Sequence, residues 1–559
     1  MAFNIADLIE HSIDLVPERT AVVCGDNRIT FKELEERSNR LAHHLAEHGV
    51  EPATHVGIYA YNCVEWVEAM VAAFKLRAVP ININYRYVPD ELRYIFDNAD
   101  LVSLIHQRRF SPLVAEVLPD APLIRHVIVL EDNTDEATDA IRYADALADA
   151  SSERDFGTRY DDDLYILYTG GTTGMPKGVV YRHEDVWRVL GGGIDFTTGE
   201  RLTDEWTQSK KAADAPGPGV SLPLAPLMHG AAQWSTLGGL FNGNTTVLMP
   251  RFDPHEVWRT VEREKVNTIA VTGDAMARPM VEALRAGRGG GSPTTQGNYD
   301  TSSLVAFSST AAVFSPSIKD EYLELLPNVI ISEAIGATET GFSGMTFHQK
   351  GATNKGGGPT VKLGPDTIVI DDDGKPIEPG SGGIGRIARG GNIPLRYHKD
   401  PEKTAATFIE VGGKRYSIPG DNARVEDDGT VTLLGRGSNC INSGGEKIFP
   451  EEVEGALKSH PDVFDSIVVG VPDERFGSRV CAVVQPREGK EPTLDELQAH
   501  SRTKIAGYKV PRELYLVDEI MRQPSGKPNY PAAREYALKQ RATTGDARSA
   551  APSEYEGER

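Results

Sequence analysis

The chain has few cysteines, an excess of acidic over basic residues and no long apolar run. Its four cysteines show no CxxC spacing, which argues against a disulfide framework or a cysteine zinc site and favours a cytoplasmic protein with reduced thiols. The 59 basic residues against 81 acidic ones give a net charge of −22. This charge argues against nucleic acid or an anionic membrane as the main partner. No stretch approaches the roughly 18 apolar residues that a membrane span needs, and the first residues lack the pattern of a secretory signal.

Strand and helix patterns alternate along most of the 559 residues. Thr30 and Glu33 form a capping-box pattern before an amphipathic helix that ends at Gly49. This alternation predicts an α/β fold, with mostly parallel sheets covered by helices. Asp-Gly pairs within residues 368–377 and 425–434 predict hairpins, so a small antiparallel β unit is expected near residue 360.

The pattern after residue 435 changes to helix, strand, strand and helix, which predicts a small α+β domain. We therefore expect an N-terminal domain over residues 1–435, a mobile C-terminal domain over 436–542 and a disordered tail over 543–559. The polar segment 192–219 predicts a surface insertion, and the glycine-rich segment 288–297 predicts a flexible loop.

The strongest chemical signal is an apolar strand that runs into a loop rich in glycine and threonine, followed by a lysine and a second strand. Glycines let backbone N–H groups approach an anion, threonines add hydroxyl donors and lysine adds positive charge. The spacing is not that of a Walker A loop, and a plain glycine-rich turn is the alternative. We favour a phosphate-binding loop formed by Thr169, Gly170, Gly171, Thr172, Thr173, Gly174 and Lys177.

This loop, TGGTTGMPKG, resembles the signature loop of the adenylate-forming superfamily, which includes acyl-CoA synthetases, luciferases and peptide-synthetase adenylation domains. Gly171 replaces the serine that the superfamily usually has before GTTG. The resemblance covers nearly the whole chain, and the later motifs follow in the expected order. It implies that the chain binds ATP with Mg²⁺ and forms an acyl-adenylate.

The segment IGATET at residues 335–340 resembles the YGxTE motif of the superfamily. This match implies that Thr338 contacts the α-phosphate and that Glu339, together with Thr169, holds Mg²⁺, an ion that prefers oxygen ligands. An isoleucine stands where relatives have the aromatic residue that stacks on adenine. The residues that the resemblance places around the adenine are Ile335, Gly336, Ser309, Thr310 and Ala311.

Three later motifs imply residues around the ribose and the reacting phosphate. SIPGD resembles the TGD motif, so Asp421 would accept hydrogen bonds from the ribose hydroxyls, and Arg436 would also contact the ribose. QPSGKP resembles the C-terminal motif of the catalytic lysine, although its proline lies closer to Gly-Lys than usual. By this match, Lys527 would bridge the carboxylate of the acid and the α-phosphate.

The resemblance also implies a hinge and a CoA site. Ser438 lies at the hinge position, about which the C-terminal domain would rotate between two half-reactions. The segment SGGEKI resembles the loop that lines the pantetheine tunnel. Its candidate CoA-binding residues are Ser443, Gly444, Gly445 and Lys447.

The acyl site is expected to take a large hydrophobic acid, because small residues occupy the matching positions. Its candidate residues are His229, Gly336, Ala337 and Gly341, with Ala231 and Ala232 nearby in sequence. The alternative is that Gly336 serves backbone torsion alone. Motifs such as GNIPLRYHKD resemble the actinobacterial FadD-type ligases of sterol side-chain and long-chain fatty acids.

This resemblance implies an ATP-dependent acyl-CoA ligase that releases AMP and pyrophosphate. Its expected partners are the acid, ATP and CoA, without nucleic acid, and a homodimer is left open. The alternatives are an adenylation enzyme that loads a separate carrier protein, a luciferase-like oxidase and a non-catalytic protein that senses ATP or acyl groups.

Two metal-like patterns are interpreted as structural. His44 and His48 fit the inverted zinc-protease motif HxxEH, but Leu41 and Leu45 define the core face of the helix, which predicts that the histidines lie on a solvated face. Asp371 begins DDDG, which lacks the distal glutamate of a calcium loop and predicts a hairpin turn.

Overall fold

The structure, a computed structural model, divides the chain into two compact units. The large unit comprises Met1–Ala352, Val361–Glu378 and Arg386–Pro419, and the small unit comprises Thr353–Thr360, Pro379–Gly385 and Gly420–Arg559. The residues that the structure describes are 3–169, 175–191, 193, 200–288, 299–310, 312–351, 358–364, 366–436, 439–443, 446–473, 476–523 and 526–543.

The first sheet of the large unit is parallel and has five strands. In spatial order, its strands are Val79–Asn82, His55–Tyr59, Leu101–Gln107, His126–Leu130 and Ile141–Arg142. The predicted capping box is confirmed, because Thr30 Oγ1 accepts a hydrogen bond from the Glu33 N–H and the Glu33 carboxylate accepts one from the Thr30 N–H. The associated helices are Phe31–Glu47, Val64–Lys75, Pro89–Asn98, Ser111–Val117 and Tyr143–Ala148.

A second sheet has a parallel centre and antiparallel edges. Its strands follow in the spatial order Asn27–Thr30, Thr20–Cys24, Thr245–Leu248, Val220–Pro223, Thr268–Val271, Ala306–Ser309, Ile330–Ala337, Gly341–Phe347 and Thr360–Leu363. The remaining helices of this part are Ile5–Leu15, His183–Val186, Thr207–Asp214, Gly230–Phe241, Pro254–Glu264, Asp274–Arg288 and Pro316–Leu325. The predicted βαβ organisation is confirmed.

Two antiparallel groups complete the large unit. The three-stranded sheet has the order Arg396–Tyr397, Lys177–Arg182 and Leu164–Thr169, and it carries the candidate phosphate loop between its last two strands. The other group is the small β unit that the sequence predicts, and its Asp371 turn is closed by the Asp371 N–H donating to the Lys375 carbonyl at 2.9 Å. It consists of the strands Thr367–Ile370, Ile384–Arg389, Phe408–Val411 and Lys414–Ser417 and the helix Pro401–Thr407.

The small unit has the predicted α+β pattern. Its strands are Asp421–Val425, Val431–Arg436, Ile441–Ser443, Glu446–Ile448, Val463–Asp473, Gly477–Pro486 and Glu513–Leu516. Its helices are Pro450–Lys458, Leu494–Arg502 and Tyr530–Thr543. The strands Val463–Asp473 and Gly477–Pro486 form a long hairpin. Successive residues of a strand point to opposite faces, so the apolar side chains of this hairpin pack into two clusters, one on each face.

Two sequence interpretations need correction. Part of the segment 192–219 is a packed helix rather than a surface insertion, because Gln208 and Ser209 are buried and Gln208 accepts a hydrogen bond from the Trp187 indole at 2.6 Å. On the helix Phe31–Glu47, Leu41 and Leu45 are buried as predicted, but His44 is only partly exposed and does not lie on a solvated face. Residues 289–298, most of the predicted flexible loop, and the tail 544–559 lie outside the described residues.

Among the described residues, no helix is both long and apolar enough to cross a membrane.

A buried ionic network ties the first helix to the helices of the parallel sheet. The Lys75 side chain is fully buried, and its ammonium donates to Glu10 at 2.5 Å and to Glu35 at 2.7 Å. Arg159 donates to the other oxygen of Glu10 at 2.8 Å. Burial by itself would raise the pKa of Glu10, but Lys75 and Arg159 lower it to about 2. The stabilisation from Glu10 is therefore complete above its unfolded pKa of about 4.3 and is lost as the pH falls towards 2.

We predict that Lys75→Met lowers the free energy of unfolding by about 3 kcal/mol near neutral pH, because it leaves two buried carboxylates without their shared cation. Urea denaturation followed by circular dichroism measures this loss. The control Lys265→Met removes an exposed ion pair with Asp300 and should cost far less, because solvent screens exposed charges. Equal losses in the two variants would contradict the assignment.

Candidate active site

Thr338 and Glu339 lie in the tight turn between the strands Ile330–Ala337 and Gly341–Phe347. The side chain of Thr340 closes this turn, because its hydroxyl oxygen accepts the N–H of Ala337 at 2.9 Å. Gly341 has a φ of 61°, a backbone conformation that favours glycine. The turn leaves Thr338 and Glu339 partly exposed, as residues that contact a ligand require.

Two tyrosines of the three-stranded sheet fix this turn. The hydroxyl of Tyr397 donates to Glu339 Oε1 at 2.9 Å, and the hydroxyl of Tyr181 donates to the Thr338 carbonyl at 2.7 Å. Burial, with Glu339 nearby, raises the pKa of Tyr181, so its hydroxyl stays protonated as a donor. The candidate magnesium ligand is therefore held against the sheet that leads into the candidate phosphate loop.

The two ends of the candidate phosphate loop are paired with each other. Thr169 and Lys177 are register partners at the ends of their strands, so the loop leaves and re-enters the sheet at one place. The Lys177 ammonium lies 3.7 Å from the Asp400 carboxylate and 5.8 Å from the ring centroid of Tyr397. These contacts keep the lysine beside the tyrosine that binds Glu339.

A buried asparagine connects the strand before the loop with the segment that contains His229. The Asn82 amide donates to the carbonyls of Tyr168 at 2.9 Å and Met228 at 2.6 Å, and its oxygen accepts the Tyr168 N–H at 2.8 Å. His229 follows Met228 directly and is the residue that precedes the helix Gly230–Phe241, at its N-cap position. The position of Asn82 at the carboxyl end of a buried parallel strand was a signal for this role that sequence reasoning missed.

The small residues expected around the acid have structural reasons of their own. A Cβ atom on Gly336 would lie 2.3 Å from the carbonyl oxygen of Gly341, so this position requires glycine within the hairpin. Ala232 is fully buried and packs in the core. The structure therefore favours the backbone explanation for Gly336, and Ala337 and His229 remain partly exposed candidates.

Two of the described residues of the expected adenine site, Ser309 and Ile335, are buried within the protein. The Ser309 hydroxyl is buried and accepts the Gly273 N–H at 3.2 Å, so it supports a neighbouring loop. Thr310 is partly exposed, and Ile335 is only 7% exposed.

Within the small unit, a hairpin brings the two candidate ribose residues together. Asp421 and Arg436 are register partners at the open ends of their strands. Lys527 is exposed and lies in a turn in which its carbonyl accepts the Gln523 N–H at 2.8 Å. Gly526 in this turn has a φ of 81°, which explains the glycine of the motif.

The structure describes only some of the other predicted site residues. Ser443 ends a strand and is partly exposed. Outside the described residues lie Gly170, Gly171, Thr172, Thr173, Gly174, Ala311, Ser438, Gly444 and Gly445. The structure also does not describe the side chains of Arg436 and Lys447.

Curated relatives match almost the whole chain. The chain is 60% identical over 538 residues to a 3-oxocholest-4-en-26-oate–CoA ligase of Rhodococcus rhodochrous, with 96% of each chain covered. It is 54% identical over 538 residues to a medium/long-chain-fatty-acid–CoA/3-oxocholest-4-en-26-oate–CoA ligase of Mycobacterium tuberculosis, again with 96% of each covered.

Solved structures share the fold at low identity. An anthranilate CoA ligase in complex with anthranoyl-AMP superposes with a TM-score of 0.80 at 22% identity, covering 96% of this chain and 98% of that one. ATP-bound MatB from Rhodopseudomonas palustris gives 0.79 at 23% identity, covering 96% and 99%. The α/β fold with a large N-terminal and a smaller C-terminal domain is thus confirmed.

Two family models match this chain. The model described as AMP-binding enzyme matches residues 9–394, and that described as AMP-binding enzyme C-terminal domain matches residues 452–527. The first match alone covers more than half of the chain, and the two lie in the order that the sequence motifs imply. The chain therefore belongs to the AMP-binding enzyme family.

Proposed function

We propose that this enzyme converts a sterol side-chain acid or a long-chain fatty acid into its CoA thioester, with an acyl-adenylate as the intermediate. The observation that carries the proposal is the 60% identity, over 96% of both chains, to a 3-oxocholest-4-en-26-oate–CoA ligase. ATP and CoA are its co-substrates, as expected for an acyl-CoA ligase of this family. The test is pyrophosphate exchange with a panel of acids, followed by analysis of the products formed with CoA.

In the first half-reaction, a carboxylate oxygen of the acid forms a bond to the α-phosphorus of ATP, and pyrophosphate leaves. No protein nucleophile is needed, so the protein contributes positioning and charge neutralisation. Thr338 would donate to the α-phosphate, and Lys527 would bridge the acid and that phosphate. The candidate loop from Thr169 to Lys177 would hold the leaving pyrophosphate.

The residues present fit Mg²⁺, because the Glu339 carboxylate is a hard oxygen ligand held at one oxygen by Tyr397. Glu339 and the hydroxyl of Thr169 would hold the ion. When bound, Mg²⁺ neutralises charge on the phosphate oxygens. The role of Tyr397 is to hold the carboxylate in place.

In the second half-reaction, the CoA thiol attacks the carbonyl carbon of the acyl-adenylate, and AMP leaves as the thioester forms. We propose that the C-terminal domain rotates at Ser438 between the two steps and presents the loop of Gly445. Support comes from the position of Ser438 two residues after Arg436, which ends the ribose hairpin.

The alternatives from the sequence, including a luciferase-like oxidase, are less well supported. Loading of a separate carrier protein would use the same first half-reaction, but the relatives at 54% identity and above are named as CoA ligases. A non-catalytic sensor would not need Glu339, Asp421 and Lys527 together. We also propose a cytoplasmic location, because ATP and CoA are intracellular metabolites and the structure pairs none of the described cysteines in a disulfide.

We predict that Lys527→Ala lowers the rate of adenylation roughly a hundredfold or more, because it removes a charged contact made in that transition state. Thioester formation from supplied acyl-adenylate should be spared. Pyrophosphate exchange and thioester assays measure the two steps separately. Lys504→Ala, which changes another exposed lysine of the small unit, is the control and should affect neither step. Equal loss of both half-reactions in Lys527→Ala would contradict the proposed role.

We predict that Tyr397→Phe lowers the adenylation rate about tenfold and raises the Mg²⁺ concentration needed for half-maximal rate, because Glu339 loses its hydrogen bond. Tyr143→Phe also removes a tyrosine–carboxylate hydrogen bond, to Glu68 at 2.6 Å, and should leave the magnesium dependence unchanged. If Tyr397→Phe changes stability alone, Tyr397 does not position the metal ligand.

We predict that kcat/KM rises from acetate to long-chain acids and to 3-oxocholest-4-en-26-oate, since each buried CH₂ contributes about 0.8 kcal/mol. Steady-state kinetics with the wild-type enzyme measures this series. Gly336 is unsuitable for a pocket-filling test because any side chain there would collide with the backbone. A preference for acetate over every longer acid would contradict the proposed substrate class.

A further inference from the structure

Three histidines converge outside the candidate active site. His44 and His48 lie one turn apart at the C-terminal end of the helix Phe31–Glu47, and His126 begins a strand of the parallel sheet. One ring nitrogen from each of the three lies within 4.8 Å of the others. In the part of the chain that the structure describes, this is the one place where three such ligand groups meet.

The arrangement is close to that of a metal site. The Nε2 atoms of His44 and His126 are 3.0 Å apart, whereas two nitrogens bound to tetrahedral zinc at 2.0–2.1 Å are about 3.3 Å apart. The rings of His48 and His126 are stacked with centroids 4.2 Å apart, so the His48 ring has to turn before its in-plane lone pair points at the same ion. Because His48 is exposed, its ring can turn towards the same point without disturbing the core.

The hydrogen bond of His48 shows which of its ring nitrogens is free of a proton and can bind a metal ion. Nδ1 of His48 lies 2.7 Å from the His44 carbonyl, which can only accept, so this nitrogen carries the proton and Nε2 is left as a ligand atom. Such a bond from the second ring nitrogen is usual for metal-binding histidines. The contact between the Nε2 atoms of His44 and His126 needs one proton between them, so one of these nitrogens donates and the other accepts.

The position at the C-terminal end of a helix favours a cation. The last turn of a helix exposes carbonyl oxygens, which carry partial negative charge. Three imidazole nitrogens without a sulfur or oxygen ligand select zinc, cobalt, nickel or copper over magnesium and calcium.

We propose that His44, His48 and His126 bind one divalent transition-metal ion, with zinc as the reference ion, and that solvent completes its coordination. The ion joins the end of the helix to the start of the strand. On binding, the Nε2 proton shared by His44 and His126 moves, by exchange with solvent, to Nδ1 of the ring that carried it, so both rings bind as neutral imidazoles and no residue is oxidised or reduced. This site is independent of the proposed ligase activity.

The test uses the full-length chain without a polyhistidine tag, stripped with a chelator and titrated with Co²⁺. We expect visible cobalt absorption bands that saturate at one equivalent per chain and that zinc abolishes by displacement. The bands should lack the near-ultraviolet absorption of cobalt–thiolate bonds, because no cysteine is among the ligands. Absence of saturable bands up to a cobalt concentration of about 1 mM, or bands with thiolate character, would overturn the proposal.

Three variants locate the site. His48→Ala changes an exposed residue and should weaken cobalt binding at least tenfold. Loss of a residue that only supports a metal ligand already costs about tenfold or more, so loss of a ligand should cost at least as much. His126→Asn should do the same. His43→Ala is the matched control, because this neighbouring histidine contacts Asp155 at 3.0 Å instead. Unchanged affinity in His48→Ala, or equal weakening in His43→Ala, would overturn the assignment.

Thermal melting separates metal loss from misfolding. Zinc should raise the melting temperature of the wild type, because the ion binds the folded state, and should have a smaller effect on His48→Ala. Without metal, His48→Ala should melt at the same temperature as the wild type. An equal rise with zinc in both proteins would contradict a site made by these three residues.

Discussion

The buried amide of Asn82 sets the position of the groups around the candidate site. Its side chain makes three hydrogen bonds with the backbone of Tyr168 and Met228. Thr169 and His229 follow those two residues directly, so one side chain fixes the start of the candidate phosphate loop and the start of the helix Gly230–Phe241. An apolar residue at position 82 would leave buried backbone groups without partners, each at a cost of about 1–3 kcal/mol.

Hydrogen bonds from neutral side chains also hold the candidate metal ligand, Glu339. Tyr181 and Tyr397 belong to strands that pair next to the phosphate loop, and they hold Thr338 and Glu339 from one side. This support matters because the protein carries a net charge of −22 and must bind polyanionic ATP. The protein cannot rely on a positive surface, so local cations such as Lys177 are placed by specific contacts, here with the Asp400 carboxylate and the Tyr397 ring.

The sequence predicted what depends on local pattern and missed what depends on distant contacts. The capping box at Thr30, the parallel sheets and the hairpin turns follow from periodicity and turn residues, and the structure has all of them. The hydrogen bond from Tyr397 to Glu339 joins residues 58 positions apart, and the contact of His44 with His126 joins residues 82 apart. The apolar pattern of the helix places His44 opposite the core face and therefore predicts that it is exposed to solvent. Such a pattern does not show which other elements, here the strand that begins at His126, pack beside the helix.

Glycine 336 shows how one residue type can carry two explanations. From the motif alone, a missing side chain beside the reacting carboxylate indicates a deep acyl pocket. The structure shows that a Cβ atom there would lie 2.3 Å from a backbone oxygen of the paired strand, so the hairpin excludes every other residue. A glycine required by the backbone gives no information on pocket size. The size of the acid must then be set by side chains that can vary, and among the candidates these are Ala337 and His229, both partly exposed.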